Sequence, residues 1–182
     1  MSALPGEQWL LDAVRVPAAS DAADVLQVAS DGTGSLPMVV AAAVVSAWLA
    51  VRRRRFEAAL PLAAVLLVAL LTPVLKPLIE RSRPDGALLT AGASFYSLPA
   101  GHAATSAALV VGLLVTAGLT GRRRAWAIAA GAAVLLALGA VQLALARHYP
   151  SDILAGWLLG AAVAFVIVNL PVRKSGSDRS RS

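Results

Sequence analysis

An all-α, multi-pass membrane bundle of about five spans, with a short interfacial helix near the N-terminus, is the fold class that this sequence predicts. Three observations carry it. Of the 182 residues 58% are hydrophobic and only 14% are charged. The mean hydropathy is +0.74, outside the composition of soluble domains. The apolar residues fall into five blocks divided by cations and prolines.

Residues 1–35 come first and carry five acids (Glu7, Asp12, Asp21, Asp24, Asp31) against one base, Arg15. They lack a basic stretch followed by an apolar one, so they do not read as a signal peptide, and the first span is expected to act as its own insertion signal. Trp9, Leu10, Ala13 and Val14 recur at helical spacing, which predicts a short helix lying on the outer interface with Trp9 as its anchor. The five blocks follow: Leu36 to Val51, Phe56 to Leu75, Ala103 to Leu119, Ala125 to Ala146 and Ile153 to Leu170. Each approaches or reaches the ~20 residues that cross a ~30 Å hydrocarbon core.

The net charge of +6 reads as topology and not as a nucleic-acid surface. Arg52 to Arg55, Arg122 to Arg124, and Arg173 with Lys174 lie between or after spans, and the positive-inside rule puts them in the cytoplasm. The N-terminal segment, the Ser82 to Gly101 loop and the Arg147 to Asp152 turn then share the extracytoplasmic face of a cell membrane. Residues 1–172 read as one membrane-embedded domain, and 173–182 (RKSGSDRSRS) as a solvated, disordered cytoplasmic tail. With no cysteine present, neither a disulfide framework nor a thiol nucleophile is available.

Ionisable residues beside spans are costly and therefore point to function. Lys76, Arg81 and Arg83 supply three cations at the outer end of the second block, where Pro73, Pro77 and Pro84 are expected to break the helix. Outer-face cations run against the charge bias. The second cluster is Pro99-Ala100-Gly101-His102, where a helix is expected to start with its free N–H groups facing the loop, an anion site in outline. In the third, Arg147-His148-Tyr149-Pro150-Ser151-Asp152, Pro150 marks another helix start, and Asp152 is spaced to reach back to His148. A carboxylate holding the far nitrogen of a histidine leaves the near one as nucleophile or base, and the other histidine can protonate a leaving group. His102, His148 and Asp152 also form a set that suits a transition metal. Four nearby cations would repel such an ion, so no metal and no cofactor is expected; cations and helix N-termini instead match a phosphate dianion.

Taken in order, Lys76-x6-Arg83-Pro84, Pro99-Ala100-Gly101-His102 and His148-x3-Asp152 resemble the three-part signature of the type 2 phosphatidic acid phosphatase superfamily. The resemblance spans residues 76 to 152, with five spans where the family usually has six. Soluble relatives share the signature but not this hydropathy. It implies a helical bundle whose outer pocket hydrolyses a lipid phosphate or diphosphate without metal. His148 would form a phosphohistidine, Asp152 would orient it, and His102 would act as general acid. Lys76, Arg83 and the Gly101 N–H would bind phosphate oxygens.

Two positions depart from the family pattern. Ala100 stands where the family has serine, and Val141-Gln142 where it has Ser-Arg, so two phosphate ligands are missing. A hydrogen bond to a charged group is worth roughly 1.5 to 3 kcal/mol, so each loss would slow the reaction about ten- to a hundredfold. Gln142 can still donate one hydrogen bond, and Arg147 or Arg81 are the candidates to compensate. On an ideal helix Arg147 lies roughly 140° around the axis from Gln142, so it reaches the same place only if the helix ends early or its side chain wraps round. Polyprenyl carriers, phosphatidylglycerophosphate and phosphatidic acid are the substrates that the resemblance implies. The alternative is a non-catalytic lipid-phosphate binder or partner subunit. A transporter fits less well, because the polar residues gather at one face and not at the midplane. The expected partners are the membrane and a lipid phosphate, with no nucleic acid; a homo-oligomer is compatible with the sequence.

Overall fold

The computed structural model describes residues 4–52, 58–89 and 92–169. Arg53 to Arg55, Arg173, Lys174 and the expected tail lie outside the described residues. Among the described residues seven helices follow one another: α1 (Glu7–Val14), α2 (Asp21–Asp31), α3 (Ser35–Val51), α4 (Ala59–Ile79), α5 (Gly101–Thr116), α6 (Gly121–Ala144) and α7 (Pro150–Asn169). Among the described residues there is no strand, only an isolated antiparallel bridge between Ser82 and Tyr96.

The five apolar blocks become α3 to α7, but only α4, α6 and α7 are long and apolar enough to cross a membrane alone. α2 and α3 form a fourth crossing if their pair, bent by 48°, is counted as one span. α5, at 16 residues, is about 24 Å long. Its first residues, Gly101 and His102, line a pocket, and it is shorter than the helices that can cross alone.

Close packing around α5 organises the bundle. Its inward face is small throughout, with Ala103, Ala104, Ala107, Ala108 and Gly112 buried, and α7 meets it with Gly156 and Gly160. A methyl group at Gly156 would stand 2.6 Å from the Ala100 carbonyl oxygen, and one at Gly160 would collide with that of Ala104. In lipid the hydrophobic effect does not drive helices together, so backbone approach through small residues supplies the dispersion contact that does. α4 closes the core with Ala64, Val65 and Val68.

The expected breaks at Pro73 and Pro77 are corrected: α4 runs through both to Ile79 and ends at Glu80, a left-handed residue whose N–H bonds to the Lys76 carbonyl. Each proline removes one N–H from the helix. The hydrogen bonds lost are those that an unbroken helix would make to Ala69 and Pro73, two residues that line the pocket. At the other two expected starts the chain behaves as its prolines indicate. α7 begins at Pro150, and α5 begins two residues after Pro99 with Ala100 as its N-cap.

The N-terminal segment is more ordered than its sequence pattern indicated. α1 exposes Trp9, Leu10 and Val14 and buries Glu7 and Leu11, so its apolar face looks outward, as an interfacial helix requires, and an acid points in. α2 was not anticipated, although its signal is present: Ser20 caps it, accepting from the Ala23 N–H, with Asp21 and Asp24 in the first turn.

Candidate active site

One end of the bundle gathers the start of α3, the end of α4, the start of α5, the end of α6 and the turn before α7 around a pocket of about 480 Å³. The Arg52 and Arg122 to Arg124 cations stand at the opposite helix ends. Of the nine residues singled out from sequence, seven line this pocket: Lys76, Arg83, Gly101, His102, Gln142, Arg147 and His148. Asp152 and Arg81 stand behind it.

His148 is buried in the turn before α7. Its Nδ1 faces Asp152 Oδ2 at 3.8 Å, beyond hydrogen-bond distance, and has no hydrogen-bond partner among the described residues. The opposite ring nitrogen, Nε2, is the one left for the pocket. Burial pushes the imidazole pKa down to about 4, and Arg83 and Lys76 add to the effect while Asp152 works against it. The ring is therefore neutral at pH 7, with a lone pair to use.

Asp152 is fully buried and accepts on both oxygens, from the Tyr149 N–H at 2.9 Å and from Arg81 Nη1 at 2.6 Å. Arg81 is shared: its Nη2 donates to Glu7 Oε2 at 2.5 Å, and its guanidinium lies 4.7 Å from the centre of the Tyr149 ring. Glu7 also accepts from the Leu4 and Ser151 N–H groups. Burial raises its carboxyl pKa, but hydrogen bonds from Ser151, Leu4 and Arg81 outweigh this and hold it below the usual carboxylate range. Arg81 thus has its charge spent on two carboxylates behind His148 and does not line the pocket. Sequence reasoning missed Glu7; no local signal marks an acid in a short helix as the partner of an arginine 74 positions away.

The pocket cations differ in how they are held. The Lys76 ammonium makes no hydrogen bond or ion pair to the described residues. Arg83 donates from Nε to the Ser94 carbonyl at 2.7 Å and from Nη1 to the Arg147 carbonyl at 2.6 Å. Arg147 donates from Nε to the Leu88 carbonyl at 2.5 Å and from Nη1 to Ser30 Oγ at 2.6 Å, while its buried Nη2 has no partner. Gln142 Nε2 donates to the same Ser30 Oγ at 2.9 Å. The His102 ring places Nε2 3.2 Å from the Ser30 carbonyl; a carbonyl only accepts, so this pairing puts the proton on Nε2. Ser35, in the first turn of α3, also lines the pocket and was not singled out from sequence. Ala100 is fully buried in an apolar cluster with Ala103 and Ile153 and is not among the lining residues.

Chemically the site offers a neutral, carboxylate-backed imidazole, a second imidazole and three cations converging on one space. Ala69, Pro73 and Leu89 form an apolar side. That combination suits a phosphate group carried on an apolar tail.

Comparison with known proteins agrees with this chemistry. The family model described as the PAP2 superfamily matches residues 57–175. An undecaprenyl-diphosphatase from Sulfolobus acidocaldarius is 35% identical over 83 residues, covering 43% of this chain. The matched segment spans only 37% of that protein's length. The crystal structure of a transmembrane PAP2-type phosphatidylglycerolphosphate phosphatase from Bacillus subtilis superposes with a TM-score of 0.75 over 89% of this chain and 82% of that one. At 22% identity it establishes a shared fold.

Proposed function

This chain belongs to the PAP2 superfamily, and from that premise we propose that it is a membrane phosphatase acting on a lipid phosphate or diphosphate at the extracytoplasmic end of its bundle. One observation carries the reading: His148, neutral and backed by Asp152, faces a pocket that also holds Lys76, Arg83, Arg147 and His102.

In the proposed reaction His148 Nε2 attacks the terminal phosphorus, forming a P–N bond as the bond to the leaving oxygen breaks. His102, as the imidazolium, passes a proton to that oxygen. Water then attacks the phosphohistidine, giving up a proton to His102 as the P–N bond breaks and inorganic phosphate leaves. Asp152 stabilises the positive charge that His148 acquires in the intermediate. Lys76, Arg83, Arg147 and the Gly101 N–H neutralise the phosphate oxygens, so arginine forks do what a metal ion does in other phosphoryl transfers. Residues 1–172 act as one membrane-embedded domain, with the C-terminus in the cytoplasm; a reporter fused after Ser182 tests that orientation.

Polyprenyl diphosphate is the first substrate to try, followed by phosphatidylglycerophosphate and phosphatidic acid. Purified protein in detergent with chelator present is expected to release phosphate from at least one, and His148→Ala to abolish release. No release from any lipid phosphate, in the presence or absence of divalent cations, would overturn the enzyme reading. It would favour a lipid-phosphate binder, the alternative raised by Ala100 and Gln142.

A further inference from the structure

Ser30 lies outside the residues 57–175 that match the family, yet three site residues converge on it. Its hydroxyl oxygen accepts from both Arg147 Nη1 and Gln142 Nε2, and its carbonyl oxygen faces His102 Nε2. Ser30 is 0% exposed and is itself held firmly. The Thr33 N–H and hydroxyl both donate to its carbonyl at 3.0 Å, which ties the last turn of α2 to the elbow before α3.

We propose that Ser30 is a positioning residue of the phosphate site, holding the Arg147 guanidinium so that its unpartnered Nη2 edge serves the anion. The inference rests on the reading of this pocket as a phosphate site. The nature of the partner matters. Both close acceptors of Arg147, the Leu88 carbonyl and the Ser30 hydroxyl, are uncharged, so they fix the fork without cancelling its charge. The nearest carboxylate, Asp31 Oδ1, stands farther off at 3.4 Å with its side chain half exposed. If the Ser30 hydroxyl is removed, Asp31 becomes the stronger partner and draws the guanidinium outward and away from the pocket. A neutral tether and a distant carboxylate therefore leave most of the positive charge for a ligand.

The test is a double-mutant cycle on full-length protein in detergent, with inorganic phosphate as the probe for binding and polyprenyl diphosphate for turnover. Ser30→Ala is expected to weaken phosphate binding about tenfold, the size of one charge-assisted hydrogen bond, and to raise KM with lipid substrate. In an Arg147→Met background the same Ser30→Ala change is expected to cost clearly less, only what the Gln142 contact contributes, because the guanidinium it positions is gone. An equal loss in both backgrounds would mark Ser30 as merely structural, and no loss in the wild-type background would also overturn the proposal. Thermal melting shows whether each variant folds, and Ser30→Cys, which keeps the volume but is a weaker acceptor, replaces Ser30→Ala if the latter does not. If wild-type protein releases no phosphate from lipid but binds inorganic phosphate, the hydrolytic reading fails and the binding cycle still decides on Ser30. If it binds no phosphate, the proposal falls.

Discussion

Gln142 and Arg147 meet on one oxygen, donating to Ser30 Oγ at 2.9 and 2.6 Å, although five residues separate them. An ideal helix would hold them on different faces. α6 ends early instead: Ala146 adopts φ 48°, its N–H bonds to the Leu143 carbonyl, and the Arg147 N–H bonds to that of Gln142. This paired 6→1 and 5→2 arrangement reverses the chain at the helix end. It carries the arginine back beside Gln142, where the sequence resemblance implies an arginine.

The first prediction follows directly. Gln142→Arg alone is expected to lower kcat/KM, because a second guanidinium would compete with Arg147 for Ser30 and repel it in a buried site. Combining Gln142→Arg with Arg147→Gln moves the charge between the two positions and should recover activity to within about tenfold of wild type. Steady-state kinetics of the two singles and the double check this; a single Gln142→Arg that is faster than wild type contradicts it.

Ala100 is the uncapped N-cap of α5 and is packed against Ala103 and Ile153. A serine here is placed to bond an N–H of the first turn of α5. Ala100→Ser is expected to raise stability by about 0.5 to 1 kcal/mol without raising phosphate release. Thermal melts and turnover, measured side by side, separate capping from phosphate contact.

Gly160→Ala is expected to cost about 1 to 3 kcal/mol or more, as overpacking does, because the methyl would collide with the Ala104 carbonyl. α5 carries His102 and α7 follows His148 directly, so the wedge should also lower kcat. Melting temperature and kcat are the measurements.

Arg81 bridges Glu7 and Asp152 out of solvent. Arg81→Met would strand two buried carboxylates and is expected to cost about 3 to 5 kcal/mol. Glu7→Gln leaves the Arg81–Asp152 pair intact and should cost clearly less. Equal losses in the two variants' thermal melts would contradict this order.

His148 has a folded pKa of about 4 against an ordinary value of 6.5, so below pH 6.5 the unfolded chain takes up this proton and the folded chain does not. Its presence therefore makes stability fall as pH drops from 6.5 towards 4. The effect is absent above pH 6.5. His148→Gln is expected to flatten that slope relative to wild type in pH-dependent melts. The lowered carboxyl pKa of Glu7 has the opposite origin: its stabilisation is present above the ordinary carboxylate pKa and is lost as pH falls below it. Glu7→Gln removes that more acidic component.

The helices were legible because burial in lipid demands apolar length, a property of contiguous sequence. Pro150 and Pro99 marked helix starts for the same local reason, and the spacing of Lys76, Arg83, His102, His148 and Asp152 carried the site's chemistry. Pro73 and Pro77 misled, because a proline removes one helix hydrogen bond without necessarily ending the helix, and α4 continues through both.

By itself the sequence determined an apolar helical bundle, the helix ends at which its ionisable groups gather, and a pair of histidines with a carboxylate in register. Only the tertiary structure decided which cations those groups meet. Arg81 went to Glu7 and Asp152, and Arg147 went to Ser30, through side-chain contacts spanning 71 to 117 positions. Hydrophobic periodicity records which face of a helix is buried. It holds no record of which polar group stands opposite, because those partners lie far apart in sequence and meet only in the packed bundle.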